Sequence, residues 1–345
     1  MNTQHQLLIG DARSVDLPPE SVHLVVTSPP YPMVAMWDEI FAQMDPDIAG
    51  LMSSPWQAYE RMHQCLDSVW ARCFDALVPG GIACINIGDA TRSVDGRFAL
   101  YPSHARILSG MIRLGFVPLP DILWRKPNNS PTKFMGSGML PGGAYVTYEH
   151  EYVLVLRKGD KRKFTKKEAE NRQRSAYFWE ERNHWFSDLW TDIRGVAQTL
   201  DKAERSRSAA YPFELPYRLI QMYSCYGETI LDPFLGTGTT LAAALASGRS
   251  SVGVEKGSSL LPAIARSLEQ AVALGQERVQ SRAQGHAAFV AQRLARDKVV
   301  KHHNEVLNQP VITGQERRLE LWEPASVQAV GEGLWAAKHR LLAGA

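Results

Sequence analysis

The chain has 345 residues, 45% of them hydrophobic, and a net charge of +2. That content can bury the core of one large α/β domain with an inserted module, or of two domains. The near balance of charge excludes a global polyanion-binding surface and leaves only local basic patches, and no apolar run is long enough to span a bilayer. Cys65, Cys73, Cys84 and Cys225 form no CxxC pair and no cluster with histidines. They are expected as reduced thiols of a cytoplasmic protein. Met1–Gln6 lacks the basic and apolar regions of a signal peptide.

In chain order, Leu7-Leu8-Ile9 reads as a short strand, with Asp11 just beyond its end, either capping a turn or accepting hydrogen bonds from a ligand. Val22–Val26 is an apolar run that reads as a buried strand. It meets Thr27-Ser28-Pro29-Pro30-Tyr31 at once. Proline has no N–H for a sheet ladder, so the strand must stop there. What is left is a stiff rim with one hydroxyl, free carbonyls and one ring, suited to gripping a flat polar group. A plain proline turn is the simpler reading of the same residues. The stretch from Pro32 to Pro55 lacks clean periodicity and is expected as a loop with short helical pieces, either a lid or a surface connection.

Trp56, Tyr59, Met62, Leu66, Val69, Trp70, Phe74 and Leu77 recur at helical spacing, which predicts an amphipathic helix ended by Pro79-Gly80-Gly81. Ile82–Asp89 follows as a strand, Tyr101–Leu114 as a helix and Asp121–Asn128 as a strand running into a polar turn. Alternating strands and helices predict a parallel sheet covered on both faces. Residues 128–143 are a loop rich in Gly, Pro, Ser and Met, and Tyr148–Leu156 is a strand. A basic run then includes Lys158, Lys161, Arg162, Lys163, Lys166 and Lys167, followed by Tyr177, Phe178, Trp179, Trp185, Phe186 and Trp190. Bases and rings this closely interleaved point to nucleic-acid contact, against the simpler reading of a solvated face. Lys126 joins this candidate DNA-binding set.

Tyr211-Pro212-Phe213 introduces a helix to about Ser224. Thr229–Asp232 is a strand, and Asp232-Pro233-Phe234-Leu235-Gly236-Thr237-Gly238-Thr239-Thr240 leads into a helix of small residues. Ser251–Glu255 is the next strand. A strand, a Gly-x-Gly loop and a helix form the first half of a nucleotide-binding βαβ unit, and Glu255, about twenty residues on, falls where such units place a carboxylate on ribose hydroxyls. The third glycine of a dinucleotide fingerprint and the lysine of a P-loop are both missing. Asp232 would repel a pyrophosphate and welcome an amine. The ligand so implied has ribose and an ammonium group, and S-adenosylmethionine fits. Beyond Leu260 the chain reads as helix to about Arg296, then short helices and turns.

Together, Ser28-Pro29-Pro30-Tyr31 and the Asp232–Thr240 motif resemble the amino-DNA methyltransferases, which methylate exocyclic amines of adenine or cytosine. The resemblance covers roughly residues 7 to 256. With the catalytic motif first, the order resembles the family's β group. It implies a Rossmann-like, S-adenosylmethionine-dependent methyltransferase fold, doubly wound and mostly parallel, circularly permuted, with an inserted target-recognition region. The domains expected are a catalytic half (1–127), a target-recognition region (128–205), a cofactor-binding half (206–258) and a helical C-terminal extension (259–345).

In that resemblance Ser28 and the carbonyl of Pro29, with Pro30 fixing the turn, accept hydrogen bonds from the target amine, and Tyr31 stacks on the extruded base. Asp232, Pro233, Phe234, Gly236, Gly238, Thr239, Thr240 and Glu255 hold the cofactor. Asp11 reaches its adenine, and Tyr211, Pro212 and Phe213 lie near it. Trp124–Asn128 flanks the base pocket. Serine at the first position of the motif implies cytosine N4, where adenine enzymes mostly carry Asp or Asn. The partners implied are double-stranded DNA and a cognate restriction endonuclease, with a monomeric or homodimeric enzyme and no membrane. The other readings open at this point are an adenine-N6 enzyme, an RNA or protein-glutamine methyltransferase, and a non-catalytic DNA-binding module on a degenerate fold.

Overall fold

The computed structural model describes residues 1–126, 135–194 and 211–342. Pro127, Asn128 and both ends of the expected 128–205 region lie outside the described residues. In chain order the strands are β1 (Asn2–Ile9), β2 (Val22–Thr27), β3 (Leu77–Ile87), β4 (Ala90–Val94), β5 (Arg97–Tyr101), β6 (Phe116–Pro118), β7 (Ile122–Arg125), β8 (Met135–Gly136), β9 (Ala144–Tyr145), β10 (His150–Lys158), β11 (Leu189–Trp190), β12 (Thr229–Asp232), β13 (Ser250–Glu255), β14 (His302–Asn304), β15 (Gln309–Val311), β16 (Trp322–Gly331) and β17 (Leu334–Leu341). The helices are α1 (Asp38–Met44), α2 (Asp47–Leu51), α3 (Pro55–Ala76), α4 (Ser103–Arg113), α5 (Lys166–Arg174), α6 (Trp179–Trp185), α7 (Glu214–Tyr223), α8 (Thr239–Ala246) and α9 (Leu261–Leu294).

The main sheet has the order β11-β7-β10-β3-β2-β12-β13-β1-β17-β16. Its centre, β3-β2-β12-β13-β1, is parallel throughout. The chain leaves β12 towards β13 on one side and leaves β2 towards β3 on the other, so the order reverses between β2 and β12. In open α/β sheets ligands bind in the crevice at the carboxyl ends beside such a reversal. Strand β2 explains why both faces must be covered. Val25 packs with Leu66, Trp70, Ala83 and Ile85 on the α3 side. Leu24 and Val26 pack with Leu215, Ile220 and Ala243 on the α7 and α8 side. The unbroken apolar run in the sequence is therefore a strand buried on both faces. Each fully buried Leu or Val there contributes about 1.5–3 kcal/mol.

Four expectations change. The Pro79-Gly80-Gly81 stretch does not lie between helix and strand; β3 starts at Leu77 and runs through it, with a register shift opposite Val22 and Leu24. A hairpin, β4–β5, stands between the β3 strand and the α4 helix. Part of the 128–205 region belongs to the sheet itself, because β10 pairs with β3 and buries Val153–Leu156. The extension 259–345 is α-helical through α9, with a short 3-10 helix further on at Gly314–Arg318, and its strands include the β16–β17 hairpin, which adds antiparallel to β1. That pairing also lengthens β1 beyond Leu7–Ile9, since Asn2–Gln6 registers with Leu334–Lys338. No helix among the described residues is long and apolar enough to cross a membrane, and Cys65, Cys73, Cys84 and Cys225 are all free and buried.

Candidate active site

Five parallel strands bring their carboxyl ends to one edge, and the sequence motifs meet there. Asp11 follows β1, Ser28 follows β2, Asn86 and Ile87 close β3, Asp232 closes β12 and Glu255 closes β13. The link between the two halves is direct: Thr27 Oγ1 donates to Asp232 Oδ1 at 2.6 Å.

Around Tyr31 the hydrogen bonds set the direction of every proton. Tyr31 donates its hydroxyl proton to Glu151 Oε2 at 3.0 Å. The same oxygen accepts from Asn86 Nδ2 at 2.7 Å, and Asn86 Nδ2 lies 2.9 Å from the Tyr31 hydroxyl. Lys126 forms an ion pair with the other oxygen of Glu151. Tyr31 has given away its single proton, so Ser28 must be the donor in its 3.2 Å contact with the Tyr31 hydroxyl. Ser28 Oγ also accepts from Asn86 Nδ2 at 3.5 Å, a long bond that leaves one lone pair for a donor from outside. Asn86 is 2% exposed, and its Oδ1 has no partner. A buried amide oxygen without a donor is costly, about 1–3 kcal/mol. Burial and the Glu151 charge push the Tyr31 hydroxyl well above its ordinary range, so it stays protonated. Gly88 is glycine because a Cβ there would come within 3.0 Å of the Tyr31 ring and 3.2 Å of Glu151. Just beyond, Asp89 accepts from His104 Nδ1 at 2.7 Å and from the Tyr148 hydroxyl at 3.1 Å, which ties the end of β3 to the start of α4 and to the chain entering β10.

Asp232 has a different part from the one expected. It is 2% exposed, and both oxygens are taken. Oδ1 accepts from Thr27 and from the Phe234 N–H at 3.0 Å; Oδ2 accepts from Thr240 at 2.5 Å and from the Tyr211 hydroxyl at 3.3 Å. It is not open to a ligand amine; it ties the glycine loop to β2, α8 and Tyr211. Burial raises its pKa against the pull of those donors. Of the neighbouring segment, Pro212 and Phe213 contact the start of α7, Phe213 stacking beside Tyr217 at 5.6 Å.

The loop itself fits a ligand. Gly236 and Gly238 both have positive φ, +55° and +89°, and Gly238 caps α8, ahead of Thr239 and Thr240. A Cβ on Gly238 would also lie 3.3 Å from Ile264. Glu255 accepts from Gly236 N at 3.0 Å and from Gly257 N at 3.1 Å, one bond per oxygen, which leaves lone pairs for ribose hydroxyls. Burial raises its pKa. Phe234, after Pro233, is edge-on to Trp70 at 5.9 Å, so the loop is anchored to α3. Asp11 holds Arg13 at 2.7 Å, a hydrogen bond that lowers its pKa and keeps it ionised.

The basic residues divide. Lys126 stands at the catalytic edge, over the Trp124 ring at 4.6 Å. Lys158 and Arg162 lie at the opposite edge. Lys158 donates to Leu77 O at 2.8 Å, and Arg162 pairs with Glu228 at 2.6 Å and Glu168 at 3.2 Å, beside the starts of β3 and β12. Lys161, Lys163, Lys166 and Lys167 are exposed in the segment held there. The structure thus separates the expected basic strip from Ser28 by the length of β2. Sequence reading missed Asn86 and Glu151. Asn86 sits one strand away from the motif and Glu151 two, and only pairing of β3 with β2 and β10 brings them to it.

A doubly wound parallel sheet with a glycine loop at the reversal point and a carboxylate on the next strand is the fold of S-adenosylmethionine-dependent methyltransferases. The sequence model of the DNA methylase family matches residues 22–266, and the chain belongs to that N6/N4 DNA methylase family. It is 45% identical over 336 residues to the type II methyltransferase M.MthZI of Methanothermobacter thermautotrophicus, covering 96% of this chain and 93% of that one. It is 48% identical over 297 residues to M.MjaI of Methanocaldococcus jannaschii, covering 81% and 94%. Among solved structures, a putative DNA modification methylase of Thermus thermophilus, complexed with S-adenosyl-L-methionine, superposes with a TM-score of 0.61 at 35% identity over 78% of this chain and 94% of that one.

Proposed function

We propose that the protein is a site-specific, β-group DNA methyltransferase that modifies the N4 amine of cytosine in duplex DNA, as the modification partner of a restriction endonuclease. The observation that carries this is the arrangement at Ser28: a hydroxyl that commits its proton to Tyr31, accepts only a long 3.5 Å bond from Asn86 Nδ2 and so keeps a lone pair for an incoming donor, beside the unpartnered Asn86 Oδ1. An exocyclic amine brings two N–H donors, and this rim offers acceptors for them. Serine in place of an acidic or amide side chain favours cytosine over adenine.

Glu255, Gly236, Gly238, Phe234 and Asp11 are the residues that would hold S-adenosylmethionine. When bound, that cofactor supplies an electrophilic sulfonium methyl group. The chain's own part is positioning and electrostatics. Ser28 Oγ and the Pro29 carbonyl accept from the amine and draw its lone pair out of the ring. Asn86 Oδ1 adds a third acceptor. Tyr31 presents its ring to the base while its hydroxyl is locked by Glu151 and Asn86. A base inside a duplex does not reach such a rim, so the base is extruded, at a cost of a few kcal/mol offset by stacking on Tyr31.

Single-turnover methyl transfer tests this reading. Ser28→Ala should keep cofactor and DNA affinity and lose about 10²–10³ in rate; an unchanged rate would remove Ser28 from the chemistry.

A further inference from the structure

The sheet edge opposite Ser28 carries a cleft of about 840 Å³, floored by His23 and Gly80 at the starts of β2 and β3. Its walls come from α5, α6, the end of α7 and the turn at Thr313–Glu316. The size is that of a small-molecule site.

The charges in it do not cancel. Arg162 is matched by Glu228 and Glu168. Glu316 is consumed by the Thr313 N–H and hydroxyl and by the Trp179 N–H. Arg172 and Arg182 have no carboxylate partner among the described residues. The first lies over the Phe164 ring at 4.9 Å and the second over the Phe186 ring at 5.7 Å. A guanidinium stacked on a ring keeps its edge N–H groups free, and that edge matches phosphate in a bidentate way. Both charges also act on Tyr177, which lines the cleft between them. Trp179, 36% exposed, adds a second ring, itself stacked on Phe289 at 5.6 Å and under Arg293 at 5.4 Å.

We propose that this cleft binds a nucleotide, its phosphate on Arg172 and Arg182 and its planar base against Tyr177 or Trp179, at a site separate from methyl transfer. Base stacking on aromatic rings beside arginine is tolerant of sequence. The six residues of β2 alone put roughly 20 Å between this site and Ser28, so the phosphate held here is not that of the reacting nucleotide. The nucleotide has two sources: free in solution, or as a unit of a nucleic-acid strand beyond the methylated site.

The test is the double variant Arg172→Gln/Arg182→Gln in the full chain. Calorimetric titration with CMP and AMP, and the salt dependence of affinity for random duplexes of about 12 and about 40 base pairs, read the two sources separately. A free-nucleotide site predicts at least a tenfold loss of mononucleotide affinity with the salt slopes unchanged. A strand site predicts that the slope on the longer duplex alone falls by about one, for the one phosphate released. Wild-type and variant chains showing the same mononucleotide affinity and the same slopes would overturn the proposal. Methyl transfer on a short duplex should be equal in both proteins. That control keeps a failure of this site distinct from a failure of the methyltransferase reading.

Discussion

Thr27 Oγ1 donates to Asp232 Oδ1 at 2.6 Å, joining residues 205 positions apart in the chain. One end of that bond precedes the Ser28 motif and the other precedes the glycine loop, so this buried contact fixes, at the ends of the paired strands β2 and β12, how the two motifs lie against each other. Thr27→Val keeps the shape and removes the donor. Asp232 then loses one of its bonds while fully buried, a cost of about 1–3 kcal/mol. The expected outcome is a lower melting temperature together with weaker S-adenosylmethionine binding by calorimetry. Loss of neither would mean that the bond does not couple the two sites.

Asn86→Leu tests the unpartnered amide oxygen. The variant removes an acceptor from the amine and a donor from Tyr31 and Glu151. The rate of methyl transfer should fall about a hundredfold with cofactor affinity preserved. A variant as fast as the parent would show that Asn86 only fills space.

Gly238→Asp should abolish cofactor binding. The position has φ +89°, and the new Cβ would press on Ile264 at 3.3 Å. Retained affinity in a calorimetric titration would refute the assignment of this loop.

Arg162→Met separates fold from DNA contact. The Arg162 side chain is 16% exposed and that of its partner Glu228 10%. Removing one member of such a pair strands the other, at about 3–5 kcal/mol. Urea titration should show that loss, whereas Lys161→Met/Lys163→Met should leave stability within about 0.5 kcal/mol. Equal stability of Arg162→Met and the parent would make the ion pair incidental.

Stability should fall on mild acidification. Burial, with His339 nearby, lowers the pKa of His5 to about 3, and burial, with Arg106 nearby, lowers that of His63 to about 3. In the unfolded chain both titrate near 6.5. The unfolded state therefore binds protons first. The stabilisation is complete above about pH 6.5 and is lost as pH falls towards 3, at about 1.4 kcal/mol per pH unit for each histidine. His63→Phe should flatten the dependence of melting temperature on pH; an unaltered slope would exclude His63 as a contributor.

Much of this molecule is legible in its sequence for plain reasons. Val22–Val26 and the α3 repeat announce themselves because their environments are uniformly apolar or regularly two-sided. The β1 extension does not, because its inward residues include Thr3 and His5, which satisfy each other at 3.0 Å and use Ser251 at 2.8 Å. The β4–β5 hairpin left a local signal, Asp95-Gly96 with φ +49° and +77°, the turn chemistry of a tight hairpin. Strands β16 and β17 carry mixed patterns because much of their surface is exposed. Ser28 and the glycine loop were readable as motifs. Asn86 and Glu151 were not, since their importance lies in strand pairing that periodicity does not encode, and the distance of the basic strip from Ser28 is set by the same pairing.

The identity of the modified base separates a cytosine-N4 enzyme from an adenine-N6 enzyme. Long-read modification sequencing of DNA from cells expressing this chain, with Ser28→Ala as the control, reads base and context together. The prediction is N4-methylcytosine at one recurrent sequence, absent in the control; N6-methyladenine at such a sequence, or no modification from the parent chain, would contradict it.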